Sequence, residues 1–86
     1  MDYREQETLL TLARQIVDRL EAAGRRAWLV GGCVRDRLAG RPIKDVDIAT
    51  NALPDEVLSM FERAEPTGLA HGTVTVILRG RPFEVT

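Results

Sequence analysis

Asp45 and Asp47 stand two residues apart in Asp45-Val46-Asp47-Ile48-Ala49, a stretch that alternates polar and apolar side chains as a half-buried strand does. At that period both carboxylates leave the strand on one face. Two such groups repel unless a cation lies between them, and their oxygens suit a hard ion such as magnesium. A solvated strand face carries the same spacing, so the pair alone is a weak signal. Aspartate is nonetheless a poor strand former. Val46 and Ile48 make a strand of this segment anyway, and two aspartates held there need a reason.

Gly31-Gly32 is the second signal. It follows the apolar run Ala27-Trp28-Leu29-Val30 and precedes a short helical segment with Arg35 about one turn in. Glycines let a backbone approach a phosphate closely, and a helix start offers free N–H groups. The Arg35 guanidinium could fork onto phosphate oxygens. Asp36 beside it has two readings, an ion-pair partner for an arginine or a member of the phosphate site. Glu84 is a third carboxylate if its strand lies beside Asp45 and Asp47; register decides between that and a solvent-facing position. His71, in the glycine-flanked loop Gly68-Leu69-Ala70-His71-Gly72-Thr73, either contacts a phosphate or shapes the loop. A single histidine without cysteine partners makes no zinc site. Cys33 has no base near it in sequence and reads as a small buried residue.

The elements that must position these groups follow from periodicity. Leu9, Leu10, Leu12, Ala13, Ile16, Val17, Leu20 and Ala23 recur at three- and four-residue steps, which predicts an amphipathic helix over 3–23 that packs on a sheet, stopped by Gly24. Residues 27–30 read as a buried strand and 33–39 as a short helix ended by Gly40. Residues 45–49 read as a strand. Pro54 suits the first turn of a helix running to about Arg63, with Asn51 or Leu53 near its cap and Asp55 and Glu56 on its positive end. Val74 to Leu78 and Phe83 to Val85 read as a hairpin around Arg79-Gly80-Arg81-Pro82. The chain ends within an apparent strand, so a truncated or engineered piece is expected.

The bulk numbers bound what this assembly can do. Eighty-six residues make room for one small domain, 1–86, which buries only roughly 60–65% of its unfolded surface. Twelve basic and 13 acidic residues leave a net charge of −1, without the positive excess of a domain that grips nucleic acid alone. A lone cysteine excludes an internal disulfide. No apolar run approaches the ~18 residues of a membrane span and no signal pattern opens the chain, so a soluble cytoplasmic protein is expected.

Taken jointly, Leu29-Val30-Gly31-Gly32-Cys33-Val34-Arg35-Asp36 and Gly40-Arg41-Pro42-Ile43-Lys44-Asp45-Val46-Asp47-Ile48-Ala49-Thr50-Asn51-Ala52 resemble the head domain of class II CCA-adding enzymes and bacterial poly(A) polymerases, within the nucleotidyltransferase superfamily related to DNA polymerase β. Leu53-Pro54-Asp55-Glu56-Val57, His71-Gly72-Thr73-Val74 and Phe83-Glu84-Val85-Thr86 look like the same family. The resemblance runs from about Ala27 to the end.

It implies an α+β head with a mixed sheet of about four to five strands, helices mainly on one side, and a two-metal site. Asp45 and Asp47 would hold Mg²⁺, Glu84 would complete the catalytic carboxylates, and Gly31, Gly32, Arg35, Asp36 and His71 would serve the nucleotide and its phosphates. The implied reaction moves a nucleoside monophosphate from ATP or CTP to an RNA 3′ end, with tRNA the first choice of acceptor. Family members continue beyond this hairpin into further head strands, a neck that selects the base, and regions that hold tRNA. An inert fragment that binds nucleotide or metal, or self-associates as a homodimer through an unpaired terminal strand, is the alternative. A substrate-adenylating relative such as an antibiotic-modifying enzyme is a third reading, against which Arg41-Pro42-Ile43-Lys44-Asp45-Val46-Asp47-Ile48 argues.

Overall fold

A computed structural model describes residues 3–30, 40 and 46–86. Gly31, Gly32, Cys33, Arg35, Asp36, the expected helix over 33–39 and Asp45 therefore lie outside the described residues. Helix α1 spans Tyr3–Ala22. Its Leu9, Leu12, Ala13, Ile16, Val17 and Leu20 are all buried, while Thr11, Arg14, Gln15, Asp18 and Arg19 between them face water. The helical repeat read from the sequence is thus the stripe that packs. Gly24 ends the helix as expected. It holds φ +83, donates its N–H to the Glu21 carbonyl (3.0 Å), and lets the Arg25 N–H reach back to Leu20 (3.0 Å). That is a Schellman stop, and it requires the left-handed backbone that glycine adopts without a Cβ penalty.

Five strands follow in the described chain: β1 (Ala27–Val30), β2 (Asp47–Thr50), β3 (Ala64–Gly68), β4 (Thr73–Leu78) and β5 (Arg81–Val85), with helix α2 (Pro54–Met60) between β2 and β3. Their spatial order is β1-β2-β5-β4-β3. The β2–β5 pair is parallel and the other neighbours are antiparallel, so the expected mixed sheet is present. Ile48, Val74, Val76, Phe83 and Val85 are essentially inaccessible and form one core with the α1 stripe and Val57 of α2. Fully burying each such side chain stabilises by about 1.5–3 kcal/mol.

Several expectations need correction. Helix α2 stops at Met60 rather than near Arg63, because strand β3 begins at Ala64 and pairs with β4. The sequence predicts no strand here: Gly68 opens the glycine-flanked loop, and Pro66 lacks the N–H that an interior strand donates. An edge position tolerates them: proline need not donate to a partner there, and the register shifts between Glu65 and Gly68. Strand β1 is an edge rather than a buried strand, and Trp28 on it is 51% exposed. The terminal strand is not unpaired. Strand β5 lies inside the sheet between β2 and β4, so its edge offers no route to a homodimer.

Polar ties hold the frame together. The Arg26 N–H donates to Asn51 Oδ1 (2.8 Å), and the Thr50 hydroxyl donates to the Arg26 carbonyl (2.7 Å). These bonds fasten the start of β1 to the end of β2. Asn51, expected near the helix cap, serves this junction instead. The N-cap of α2 is Leu53, whose side chain has no acceptor. Glu56 compensates, with Oε1 accepting the Leu53 N–H (3.1 Å) and Oε2 accepting Arg25 Nε (2.9 Å). Arg19 reaches across from α1 to the Met60 carbonyl (2.8 Å) and lies over the Phe61 ring.

The Leu53 N–H, then the Arg25 guanidinium, hold the Glu56 carboxyl below the usual glutamate range. Its contribution is therefore complete above the ordinary glutamate pKa and is lost as pH falls through the lowered folded value. Urea unfolding at stepped acidic pH should show Glu56→Gln less stable than the parent at neutral pH, with the gap closing over that acidic window. Parallel pH profiles would contradict the clamp.

Candidate active site

Register brings the acidic residues together. Asp47 opens β2 and pairs directly with Glu84 of β5, which in turn pairs with Thr75 of β4. Paired residues of adjacent strands share a face at a spacing of about 4.8 Å. Ile48 and Val85, the next pair along, are buried on the opposite face. Asp47 and Glu84 thus lie side by side on the surface away from the core, where Asp47 is half-buried and Glu84 exposed. Alternation through Val46, Asp47 and Ile48 (buried, half-buried, buried) is the pattern the sequence predicted.

An open groove of ≈ 300 Å³ lies over this row, lined by Val46, Asp47, Thr75, Pro82 and Glu84. Among the described residues neither Asp47 nor Glu84 has an ion-pair or hydrogen-bond partner for its carboxylate. Two unit charges at that spacing repel by about 1 kcal/mol even in bulk water. Hard oxygen donors, unneutralised and sharing a face, are the donor set a divalent cation such as magnesium takes. The fit is chemical. Among the described residues no group of three His, Cys, Asp or Glu side chains forms a metal cluster, and Asp45 lies outside them.

Strand β1 adds the third side of the site. Val30, its last residue, pairs with Asp47, so the end of β1 lies beside the carboxylate row. His71 closes the 3₁₀ turn Leu69–His71 and is exposed. The adjoining Thr73 is two residues along β4 from Thr75, towards the other end of the sheet. The structure therefore brings Asp47 and Glu84 together and places the His71 turn just before Thr73, two residues along β4 from the Thr75 that pairs with Glu84.

Thr75 was missed by sequence reasoning. Its hydroxyl shares a hydrogen bond with Thr67 (2.6 Å) across β4 and β3. The signal was available in Thr73-Val74-Thr75-Val76, whose period of two puts threonines on one face when valines fill the core.

Comparison with known proteins gives this geometry a context. A family model described as the poly A polymerase head domain matches residues 27–86. The CCA-adding enzymes of Bacillus cereus (strain B4264) and Bacillus anthracis (strain A0248) are each 53% identical over 74 residues, which is 86% of this chain and 19% of theirs. The crystal structure of the Bacillus stearothermophilus CCA-adding enzyme in complex with CTP superposes with a TM-score of 0.83 at 46% identity, over 100% of this chain and 20% of that one. A tRNA-processing enzyme in an apo form superposes with a TM-score of 0.74 at 26% identity, over 93% of this chain and 23% of its own. The chain spans about a fifth of the length of the curated relatives it matches.

The paired carboxylates predict a change of sign. Without divalent cations, Asp47→Asn or Glu84→Gln relieves repulsion and should raise stability by up to about 1 kcal/mol. With millimolar Mg²⁺ the parent should gain stability by binding and the variants should gain less. Thermal unfolding with and without Mg²⁺ measures both, and an equal Mg²⁺ response in all three proteins would contradict a metal role.

Proposed function

Because the chain belongs to the poly A polymerase head-domain family, we propose that it is the head of a CCA-adding-type nucleotidyltransferase, transferring a nucleoside monophosphate from ATP or CTP to an RNA 3′ end, tRNA foremost. The observation that carries this reading is the Asp47–Glu84 pairing beside the end of β1. The CTP held by the Bacillus stearothermophilus relative supports a nucleotide triphosphate as substrate. Residues 1–86 are read as one head domain acting in the cytoplasm. Among the described residues no helix is long and apolar enough to cross a membrane.

In this reading Asp45 and Asp47 would hold Mg²⁺, and Glu84, paired with Asp47, would be the third catalytic carboxylate beside it. When bound, Mg²⁺ supplies Lewis-acid charge against the oxygens of the reacting phosphate, through a two-metal arrangement in this type of site. The chain's own residues position the reactants. Gly31 and Gly32 bring backbone N–H groups close to the triphosphate, and Arg35 forks onto its oxygens. Asp36 and His71 are assigned to the same nucleotide site. The primer 3′-hydroxyl gives up its proton to water and its oxygen bonds to the α-phosphorus as the bond to pyrophosphate breaks, so no covalent enzyme intermediate is needed. Most of the protein's contribution is orientation on strands whose other face is locked in the core.

Labelled CTP or ATP, Mg²⁺ and an RNA primer ending in a free 3′-hydroxyl provide the test. Extension by the chain, abolished by Asp45→Ala and by Asp47→Ala in proteins that still fold, is the expected result. Folded protein that binds nucleotide without extending the primer would favour the inert-fragment reading. Equal nucleotide binding by parent and variants in calorimetry would remove the carboxylates from the site.

A further inference from the structure

Trp28 is the only tryptophan in the chain and is 51% exposed on edge strand β1. It pairs with Ala49, and two residues further along the strand Val30 pairs with Asp47. Residues two apart on a strand share a face, so Trp28 emerges on the same open surface as Asp47 and Glu84. Its offset from Asp47, one strand across and two residues along, is roughly 8 Å. That is the scale of a nucleotide from its phosphate to its base. Its strand partner, Ala49, is too small to cover an indole, and no strand lies beyond β1 in the described sheet. Leu29, the next residue, is half-buried on the core side, so β1 presents its large ring to the open face and its leucine to the core.

We propose that Trp28 is a stacking platform for a nucleobase bound beside the carboxylate row, either the base of the incoming nucleotide or the terminal base of the RNA acceptor. The proposal rests on the nucleotidyltransferase reading and adds a binding residue to it. Aromatic faces hold bases by stacking with little regard to which base it is. A platform of this kind adds grip on a base without choosing between bases. The net charge of −1 leaves little general attraction for RNA, so a stacked base would be a main source of grip on this face. Trp28 is a binding residue in this scheme, with no part in the phosphoryl chemistry.

The lone tryptophan reports its own environment. Emission is recorded during titration with Mg²⁺ plus CTP, ATP, a short single-stranded RNA or inorganic tripolyphosphate, and calorimetry measures binding of each in parallel. CTP or ATP, or the RNA, should quench the emission, and whichever does so identifies the source of the base. Tripolyphosphate, which has no base, should bind without quenching. Trp28→Ala should weaken binding of the quenching ligand by about tenfold or more and leave tripolyphosphate affinity unchanged, while Trp28→Tyr restores most of the loss. Thermal unfolding of both variants checks that the half-exposed site tolerates the change. Binding of nucleotide and RNA with no change in emission, or equal losses for tripolyphosphate and nucleotide in Trp28→Ala, would overturn the platform and leave the nucleotidyltransferase reading standing. Failure of every ligand to bind would overturn both.

Discussion

The parallel pairing of β2 with β5 is the constraint from which the rest follows. It joins a strand from the middle of the chain to the last strand and sets Asp47 against Glu84 and Ile48 against Val85. One pair is apolar and fully enclosed, the other acidic and open to water. Backbone bonds from Thr50 N–H to Thr86 O (3.0 Å) and from Thr86 N–H to Ile48 O (2.9 Å) continue the ladder. A slip of one residue would turn the carboxylates into the core and the valine and isoleucine into solvent. Burial of Ile48 and Val85, at about 1.5–3 kcal/mol each, outweighs the roughly 1 kcal/mol of repulsion between two charges at strand spacing. The apolar face therefore holds the acidic pair together, and the repulsion remains available for a cation to relieve.

Everything on the core side keeps that register rigid and leaves the other side clear. Both helices pack against the Ile48, Val85 and Val76 face. The Schellman turn at Gly24 delivers Arg25 to Glu56, Glu56 caps α2, and Arg19 holds the other end of α2 through the Met60 carbonyl. These contacts link α1, the start of β1 and α2 without using any group on the open face. Among the described residues the helices cover one side of the sheet only, and the other side carries the groove, the threonine pair Thr67–Thr75 and Trp28.

How much of this could be read in advance depends on the range of the interactions. Helix α1, its glycine stop, the alternation at Asp47 and the β4–β5 hairpin are local patterns, and all stood out in the sequence. The position of Glu84 was open because it depends on pairing between strands far apart in the chain, which no local period encodes. Strand β3 was hidden by Pro66 and Gly68, residues that an edge accepts and an interior strand refuses. Trp28 read as buried because an apolar run looks the same at an edge as in the middle of a sheet. The groove residue Thr75 was legible only once the valines beside it had been assigned to the core.

On the proposed reading, Asp47 and Glu84 would hold a divalent cation between them on the open face. Nuclear magnetic resonance with substoichiometric Mn²⁺ tests it most directly, because the paramagnetic ion broadens the amide signals nearest to it. Asp47, Glu84 and Val30 should lose intensity first, Thr75 next, and the buried face least. Broadening centred on other acidic positions such as Asp55 or Glu65, or spread evenly over the surface, would contradict it.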